Sequence, residues 1–340
     1  MLSVIIPVLD EAQSLPQLAR ELHLFADSRD SEVQIIFVDD GSTDDTWHTI
    51  CQLAVDDPRI LGIRFRRNFG KAAALSAGFQ AADGERIITI DGDLQDDPAE
   101  IGALLAKLDE GFDVVSGWKR HRQDPWQKVL PSRVFNWLVS HLTGVYLHDH
   151  NCGLKAFRRE VIHEIRLYGE LHRFVPVLAA AKGFRTAEVP VKHRPRKYGK
   201  SKYGASRLSK GLLDLLTVKF LIGYGQRPQH LLGTVGLAAF LFGGLGMFVL
   251  AVRWLLSRTM EGWPIVHLHQ TASLYYSLGL FIIGAQFMSI GLLGEMIAAY
   301  LVRDTETYSI AEHTPPQAGS KEPSATSENP LSASGTRHHG

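Results

Sequence analysis

The stretch RIITIDGDLQDDP, residues 86–98, carries the pattern that decides the fold. Its apolar run ends in Asp91-Gly92-Asp93, and Pro98 opens a segment whose apolar residues recur at helical spacing. A short buried strand that leads through a polar turn into a helix is the repeating unit of parallel α/β sheets. Ligands of such sheets bind beyond the carboxyl ends of the strands. We therefore expect Asp91 and Asp93 to lie at a binding site.

The same unit recurs on both sides of this stretch. Apolar runs predict strands at residues 3–8, 33–40, 60–65, 86–91 and 113–118, and amphipathic segments predict helices at 15–27, 44–55, 71–82 and 98–110. This alternation predicts one α/β domain with a mostly parallel sheet over residues 1–190.

Overall charge and cysteine content exclude some classes of protein. Lys+Arg and Asp+Glu both total 36, which gives no sign of a nucleic-acid partner, and we expect none. Cys51 and Cys152 belong to no CxxC or Cys/His group, which argues against a disulfide framework or a zinc site.

Residues 191–230 are strongly basic at first and then apolar. Residues 192–210 contain eight Lys/Arg and no Asp or Glu, a composition that favours phosphate groups. Residues 211–225, GLLDLLTVKFLIGYG, place most apolar residues along one side of a helix, which is typical of a helix in the lipid headgroup layer. The region is predicted to be a basic, phosphate-binding loop followed by juxtamembrane interfacial helices. A simple headgroup-binding patch is the alternative for the basic residues.

The region 231–303 contains two predicted membrane spans, at about 231–252 and 273–295. Each is built on an uncharged run of 22 residues, and about 20 residues cross a bilayer. Basic residues crowd the side before the first span, so the positive-inside rule places the N-terminal domain and both termini in the cytoplasm of a multi-pass inner-membrane protein. Residues 304–340, rich in Ser, Thr, Pro, Gly and Glu, are predicted to be a disordered tail.

Asp91 and Asp93 are one residue apart at a strand end, where both can reach one divalent cation. Mg²⁺ and Mn²⁺ take oxygen ligands and complete their shells with substrate phosphates and water. The alternative is an ordinary Asp-Gly-Asp turn. A second acidic strand end, VDDGSTDDT at residues 38–46, favours the binding site, because helix capping accounts for its Ser and Thr residues but not for Asp39 and Asp40.

Six motifs in order resemble the family 2 glycosyltransferases of the GT-A fold. They are SVIIPVLDE (3–11), VDDGSTDDT (38–46), RNFGKAAALSAGF (67–79), TIDGDLQDDP (89–98), NCGLKAF (151–157) and HRPRKYGKSKYG (193–204). Within that family the chain resembles the polyprenyl-phosphate glycosyltransferases, which include dolichol-phosphate mannose synthase and bacterial undecaprenyl-phosphate sugar transferases. The resemblance covers residues 2 to about 303.

The resemblance implies a donor site made from the first strand ends. Metal and donor diphosphate would be held by Asp91, Asp93 and Gln95, with Mg²⁺ or Mn²⁺ as cofactor. Asp10 departs from the Asn that many relatives carry, which puts that polar contact in question. The nucleotide-binding set implied by the family is Pro7, Asp10, Glu11, Asp39, Asp40 and Asp91.

The acceptor site is implied by the later motifs. Asp149 corresponds to a family acidic residue that either orients the acceptor phosphate or acts as a base, with a loop or N-cap residue as the alternative. The predicted acceptor-phosphate residues are His172, Arg173, Arg194, Arg196, Lys197, Ser201 and Lys202, and the predicted catalytic residues are Asp93, Asp149, Arg194 and Lys202.

Three further charged residues have structural alternatives. Arg67 and Lys71 flank Asn68-Phe69-Gly70, where a solvated helix start and a place near the donor diphosphate are both compatible with the sequence. Glu295, at the end of the second span, is expected to pair with Arg303 or to reach the headgroups.

The sequence therefore predicts an inverting transfer from a nucleotide-diphosphate sugar, with UDP preferred, to undecaprenyl or another polyprenyl phosphate. The product would serve cell-envelope glycan modification such as that of lipopolysaccharide. Glucose, mannose, galactose, an amino sugar and an aminoarabinose derivative all remain compatible, and the family allows a homo-oligomer. The alternatives are a processive polysaccharide synthase and a non-catalytic membrane assembly factor. The synthase is disfavoured because Leu250 stands where its Gln-x-x-Arg-Trp motif needs Gln before Arg253-Trp254.

Overall fold

The chain forms a seven-stranded sheet flanked by helices, followed by three longer helices. The computed structural model describes residues 1–29, 32–120, 126–165, 167, 169–195, 197, 207–224, 227–260, 264–265 and 267–302. The strands are β1 (Leu2–Val8), β2 (Val33–Asp39), β3 (Ile60–Arg64), β4 (Arg86–Thr89), β5 (Val114–Lys119), β6 (Lys155–Arg158) and β7 (Thr186–Val191). The five strands predicted from the sequence are β1 to β5.

The sheet has the order β3-β2-β1-β4-β6-β5-β7. Strands β3, β2, β1 and β4 are parallel neighbours, and β5 pairs in parallel with β7. Strand β6 lies antiparallel to both β4 and β5. The prediction of a mostly parallel sheet is confirmed, with β6 as the exception.

Seven of the described helices lie between strands in the chain order, and three follow the last strand. Short 3-10 turns lie at Pro98–Glu100, Leu171–Phe174 and Leu268–Gln270. The helices are α1 (Leu15–Asp27), α2 (Thr46–Asp56), α3 (Lys71–Gln80), α4 (Ile101–Asp109), α5 (Trp126–Thr143), α6 (Arg159–Glu164), α7 (Val175–Ala181), α8 (Arg207–Tyr224), α9 (Pro228–Thr259) and α10 (Ala272–Val302).

Both faces of the sheet are buried, as continuous apolar strands require. On β1, Val4 and Ile6 face the core shared with α1 and α4, whereas Ile5 faces the core shared with α3 and α7. Each fully buried aliphatic side chain of this kind contributes about 1.5–3 kcal/mol to folding. This double-sided burial holds the strand ends in fixed positions.

A smaller core joins α5, α8 and the turn at Leu171–Phe174. Val139, Phe174, Leu215 and Val218 are buried there. Leu213, on the same helix as Leu215 but on its outer side, is 64% exposed. An apolar side chain that faces outward in this way agrees with the interfacial helix predicted from residues 211–225, which stays a prediction.

Helices α9 and α10 contain the two predicted spans and pack against each other. Pro228–Thr259 and Ala272–Ile297 are long and apolar enough to cross a membrane, and only 17% and 11% of their most apolar segments are buried. A core helix of a soluble protein would be mostly buried. Glycines at the contact allow the two backbones to approach: a Cβ atom at Gly236 would lie 2.8 Å from the carbonyl oxygen of Gly284.

Glu295 of α10 reaches the first turn of α9. Its Oε2 accepts a hydrogen bond from the backbone N–H of Gln229 at 3.2 Å. A carboxylate at a helix N-terminus satisfies an orphan donor and interacts favourably with the helix dipole. Glu295 therefore joins the two helices at this end. Its predicted partner Arg303 and the predicted tail lie outside the described residues.

Candidate active site

The acidic strand ends predicted from the sequence converge. Strand β1 lies between β2 and β4, and all three run in the same direction. Pro7 pairs with Val38 and Val8 with Asp39, so the loop after β1 begins beside the acidic end of β2. The carboxyl ends of these three strands form one edge, where open α/β sheets bind their ligands.

The loop after β1 is hydrogen-bonded to the turn after β2. Asp10 adopts a left-handed backbone conformation with φ of 50°, which Asp tolerates better than most residues. Its backbone N–H donates to Ser42 Oγ at 2.9 Å, and its Oδ1 accepts from the backbone N–H of Thr43 at 2.9 Å. Glu11 N donates to Thr46 Oγ1 at 2.8 Å. The two segments predicted to bind the nucleotide are therefore joined by several hydrogen bonds.

Asp39 and Asp40 hold two neighbouring turns. Asp39 Oδ1 accepts from the backbone N–H of Ser42 at 2.8 Å. Asp40 accepts from the N–H groups of Phe69 and Gly70 at 2.7 and 2.9 Å. Burial raises the pKa of Asp40, although these two hydrogen bonds oppose the rise. Both side chains shape the donor side of the edge through backbone contacts.

Asp91, the first acid of the Asp-Gly-Asp motif, forms an ion pair with Lys71 at the start of α3. Burial alone would raise the pKa of Asp91, but the charges of Lys71, Lys119 and Lys155 outweigh burial and lower it to about 2. The carboxylate is therefore ionised at any physiological pH. Lys71 therefore lies beside the motif, and its place near a donor diphosphate stays a prediction.

Asp93 is held in the loop after β4. It is 9% exposed, and its Oδ1 accepts from the backbone N–H of Gln95 at 3.2 Å. Leu94 between them has φ of 62°, a conformation that costs free energy for a branched residue and marks a tightly determined turn. Asp96 is fully buried and pairs with Lys119 at 2.8 Å, which ties the loop to β5.

The NCGLKAF motif packs against Asp91 and the end of β4. Thr89 Oγ1 donates to the carbonyl oxygen of Gly153 at 2.9 Å, and Lys155 Nζ donates to the carbonyl oxygen of Cys152. Lys155 is 5% exposed, and burial lowers its pKa. Burial also raises the pKa of Cys152 to about 12, so its thiol stays protonated at neutral pH.

Asp149 is buried two residues before this motif. It is 1% exposed, and its Oδ1 accepts from the backbone N–H of Asn151 at 3.1 Å. The adjacent His150 contacts Ser140 Oγ through Nε2 at 3.1 Å. Burial, followed by the charge of Lys155, lowers the pKa of His150 to about 4, so its ring is neutral.

His172 and Arg173 lie in the turn before α7. Burial, followed by the charges of Lys71 and Arg173, lowers the pKa of His172 well below its ordinary value. His172 can therefore donate or accept a hydrogen bond but carries no positive charge for a phosphate. Arg173 pairs with Glu170 at 2.6 Å.

The basic segment after β7 lies against α1 and the loop after β4. The guanidinium of Arg194 pairs with Glu21 and Asp97, each at 2.7 Å. Lys197 Nζ donates to Gln17 Oε1 at 2.9 Å. The remaining predicted acceptor residues, Arg196, Ser201 and Lys202, lie outside the described residues.

Comparison with known proteins identifies the family. Residues 3–166 match the family described as Glycosyl transferase family 2. Dodecaprenyl-phosphate galacturonate synthase of Rhizobium johnstonii is 35% identical over 312 residues, which are 89% of each chain. Undecaprenyl-phosphate 4-deoxy-4-formamido-L-arabinose transferase of Proteus mirabilis is 38% identical over 296 residues, 87% of each chain. The chain is a family 2 glycosyltransferase. Its relatives are polyprenyl-phosphate sugar transferases, and the predicted family and enzyme class are confirmed.

Solved structures share the transferase's fold. A glucosyl-3-phosphoglycerate synthase from Mycobacterium tuberculosis, crystallised with Mn²⁺, UDP and glucosyl-3-phosphoglycerate, superposes with a TM-score of 0.52. It is 17% identical, and the match covers 65% of the transferase and 79% of the synthase. The same synthase with Mn²⁺ and UDP-glucose gives 0.51 at 20% identity, with 66% and 81% coverage. The predicted GT-A-like fold is confirmed.

The residues of the transferase fit a divalent cation only where substrate supplies part of the shell. Among the described residues no group of three or more His, Cys, Asp or Glu is arranged to hold a metal ion. Asp91 and Asp93 nevertheless offer carboxylate oxygens at one turn, which suits Mg²⁺ or Mn²⁺ with phosphate and water as the other ligands. Such a pair of carboxylates leaves coordination positions open for phosphate oxygens and water.

Sequence reasoning missed two lysines near Asp91 and one acid of the transferase. Lys119 ends β5 and Lys155 begins β6, and the local sequence of neither lysine indicates that its charge acts on Asp91. Glu21 sits on an amphipathic helix, where an acid is ordinarily solvent-exposed. Only the folded chain brings Glu21 to Arg194, 173 residues away.

Proposed function

We propose that the transferase catalyses inverting transfer of a sugar from a nucleotide diphosphate, with UDP preferred, to the phosphate of undecaprenyl or a related polyprenyl phosphate. The observation that carries this proposal is that acidic strand ends lie beside lysine and arginine side chains. The ends of β1, β2 and β4 form one edge, Asp91 there pairs with Lys71, and the basic segment after β7 is fastened beside them.

On the donor side, the loops after β1 and β2, which are hydrogen-bonded to each other, form the nucleotide site. Pro7, Asp10, Glu11, Asp39 and Asp40 contribute to it, chiefly by fixing backbone groups that face the base and ribose. Asp91, Asp93 and Gln95 would hold Mg²⁺ or Mn²⁺, which when bound stabilises the negative charge on the leaving nucleoside diphosphate.

On the acceptor side, a lipid phosphate is already ionised near neutral pH, since its second pKa is about 6. A strong general base is therefore not required, and Asp149 is assigned the role of orienting the acceptor. One phosphate oxygen attacks the anomeric carbon as the bond from that carbon to the donor diphosphate breaks. The nucleoside diphosphate leaves with the electron pair, and no proton is transferred.

Two anions must approach for this reaction, so cations must offset their repulsion. The described residues supply Lys71 and Lys119 at the Asp91 turn. The rest of the basic segment, including Arg196, Ser201 and Lys202, is assigned to the acceptor phosphate. Neutral His172 adds a hydrogen bond there.

The two long helices suit a lipid acceptor. We propose that α9 and α10 anchor the transferase in the inner membrane with the catalytic domain and both termini in the cytoplasm. Their exposed apolar surface would contact lipid, and α8 would lie in the headgroup layer, which brings the active site to the depth of the lipid phosphate. The names of both curated relatives support this acceptor, because each joins a sugar to a polyprenyl phosphate.

The test is sugar labelling of the lipid. Purified transferase in detergent is incubated with polyprenyl phosphate, Mg²⁺ or Mn²⁺ and a panel of radiolabelled nucleotide sugars, and label in the organic phase is counted. We expect one donor to label the lipid, chelator to abolish labelling, and Asp93→Ala to reduce it by about 100-fold or more. The control is Asp109→Ala, because Asp109 forms an exposed pair with Arg86, which lies at the end of β4 opposite the Asp-Gly-Asp motif. Folded wild-type protein that labels no lipid with any donor would refute the proposal.

A further inference from the structure

The basic segment after β7 is hydrogen-bonded to the donor loop. His193 forms an isolated antiparallel bridge with Asp96, and the backbone N–H of Arg194 donates to the carbonyl oxygen of Gln95 at 2.9 Å. Asp96 and Gln95 belong to the turn that carries Asp93. The segment predicted to bind the acceptor thus begins as an extension of the loop predicted to bind the donor.

The side chain of Arg194 extends this link to a third element. One terminal nitrogen donates to Glu21 Oε2 on α1 and the other pairs with Asp97 Oδ2, both at 2.7 Å. The other oxygens of these acids are also used: Glu21 Oε1 accepts from Gln17 Nε2 at 2.9 Å, and Asp97 Oδ1 accepts from Ala99 N at 3.0 Å. The planar fork of an arginine suits this bridge between two carboxylates, and a lysine cannot reproduce it.

Gln17 carries the network one step further. Its Nε2 donates to Glu21 Oε1, and its Oε1 accepts from Lys197 Nζ, both at 2.9 Å. The order of contacts is therefore Asp97, Arg194, Glu21, Gln17, Lys197. This network fixes the segment at two points three residues apart.

The charges argue against a phosphate at Arg194. The guanidinium lies between two carboxylates, so its positive charge is already balanced at close range and attracts a phosphate less than an unpaired arginine would. A phosphate that bound Arg194 would also lie close to the oxygens of Glu21 and Asp97, which repel it. The geometry instead suits a structural bridge, called the clasp below, in which Arg194 joins Glu21 to Asp97.

We propose that Arg194 is a positioning residue that fixes the acceptor segment on the donor loop through Glu21 and Asp97. Lys202 follows Lys197 by five residues, which span at most about 18 Å, so fixing residues 194 and 197 limits where Ser201 and Lys202 can reach. The clasp thereby sets the distance between acceptor phosphate and donor. This inference rests on the proposed transfer to a lipid phosphate.

Two roles for Arg194 predict opposite effects of Glu21→Gln. If Arg194 binds the acceptor phosphate directly, Glu21 competes with that phosphate, and Glu21→Gln strengthens acceptor binding. If Arg194 is a clasp, Glu21→Gln weakens acceptor binding as Arg194→Gln does. Because both changes break the same contact, the double variant should then be no worse than Arg194→Gln alone.

The experiment measures initial transfer rates against polyprenyl phosphate and against the nucleotide sugar. We expect Arg194→Gln and Glu21→Gln each to raise KM for polyprenyl phosphate about tenfold, with KM for the donor changed by about twofold or less. Arg194→Lys should restore only part of the loss. Glu110→Gln, which breaks the exposed pair with Lys107, is the control and should match wild type. A lower or unchanged acceptor KM in Glu21→Gln, beside a raised one in Arg194→Gln, would overturn the clasp.

Hydrogen–deuterium exchange of the full chain tests the clasp independently of transfer activity. Peptides covering residues 191–195 should exchange faster in Arg194→Gln and in Glu21→Gln than in wild type or Glu110→Gln. If wild type transfers no sugar, the proposed function fails while this readout still decides on the clasp. Exchange that is unchanged in both single variants would contradict it.

Discussion

Gly153 lies directly against the carboxylate of Asp91, so closely that a Cβ atom at Gly153 would fall 2.6 Å from Asp91 Oδ1. The antiparallel strand β6 begins two residues later and brings the NCGLKAF motif under the Asp-Gly-Asp turn. Glycine is needed here for close approach and not for an unusual backbone angle.

Gly153→Ala should therefore displace Asp91 and reduce kcat/KM by about 100-fold, since misplacing a catalytic group by about 1 Å has effects of this size. The transfer assay measures the loss. Gly102→Ala in α4 is the matched control, because the nearest atom to its added Cβ is 4.0 Å away. Equal activity in the two variants would show that the Asp91 position is not critical.

Asp40→Asn should weaken donor binding. Asp40 uses both carboxylate oxygens for the N–H groups of Phe69 and Gly70, and asparagine replaces one of these oxygens with an NH2 donor, so one bond is weakened or lost at a cost of about 0.5–1.5 kcal/mol. We expect KM for the nucleotide sugar to rise about tenfold, measured at saturating acceptor. Asp45→Asn is the control, because Asp45 is exposed and its side chain makes no capping bond. An unchanged donor KM in Asp40→Asn would remove Asp40 from the donor site.

His150 should make the transferase sensitive to mild acid. Its pKa is lowered to about 4 by burial and by Lys155, whereas in the unfolded chain it is near 6.5. Between these values the unfolded chain binds a proton that the folded chain does not, so stability falls as the pH drops from about 6.5 to 4. The full loss is about 3 kcal/mol.

Thermal unfolding at pH 7 and pH 4.5 tests this effect. His150→Gln should show a smaller drop in melting temperature between the two pH values than wild type. His48→Gln, at an exposed position on α2, should show the wild-type drop. Identical pH dependence in wild type and His150→Gln would contradict the assignment.

Two neighbouring glycines in α9 should respond differently to alanine. A Cβ atom at Gly243 would lie 2.7 Å from the carbonyl oxygen of Ser277 in α10, whereas one at Gly244 would make an ordinary 3.6 Å contact with Phe281. Gly243→Ala should force the helices apart at a cost of about 1–3 kcal/mol, and Gly244→Ala should be neutral or stabilising. Melting temperatures in detergent compare the two variants. Equal melting temperatures would contradict the packing of α9 against α10.

Much of the fold was predictable because its signals are local. Strands β1 to β5 are short apolar runs closed by polar turns, and α1 begins and ends at the residues that its apolar spacing predicted. Strand β6 was not predicted, because its four residues, KAFR, carry no clear alternation and pair with distant strands. Long-range pairing of this kind leaves no local pattern.

The candidate site divides in the same way. The acids of the strand ends were predictable because parallel strands bring their carboxyl ends together. The charges that balance them were not, since Lys119 and Lys155 meet Asp91 only after β5 and β6 pair. The family resemblance implied that Arg194 binds the acceptor phosphate, whereas its guanidinium pairs with two carboxylates.

The mass of the lipid product tests the central claim most directly. Wild-type transferase, the active nucleotide sugar and polyprenyl phosphate are incubated, and the lipid fraction is analysed by mass spectrometry, with NMR for the anomeric configuration. We predict one sugar on a polyprenyl monophosphate, with the configuration opposite to that of the donor. A polyprenyl diphosphate sugar, a polymer, or a retained configuration would contradict the account.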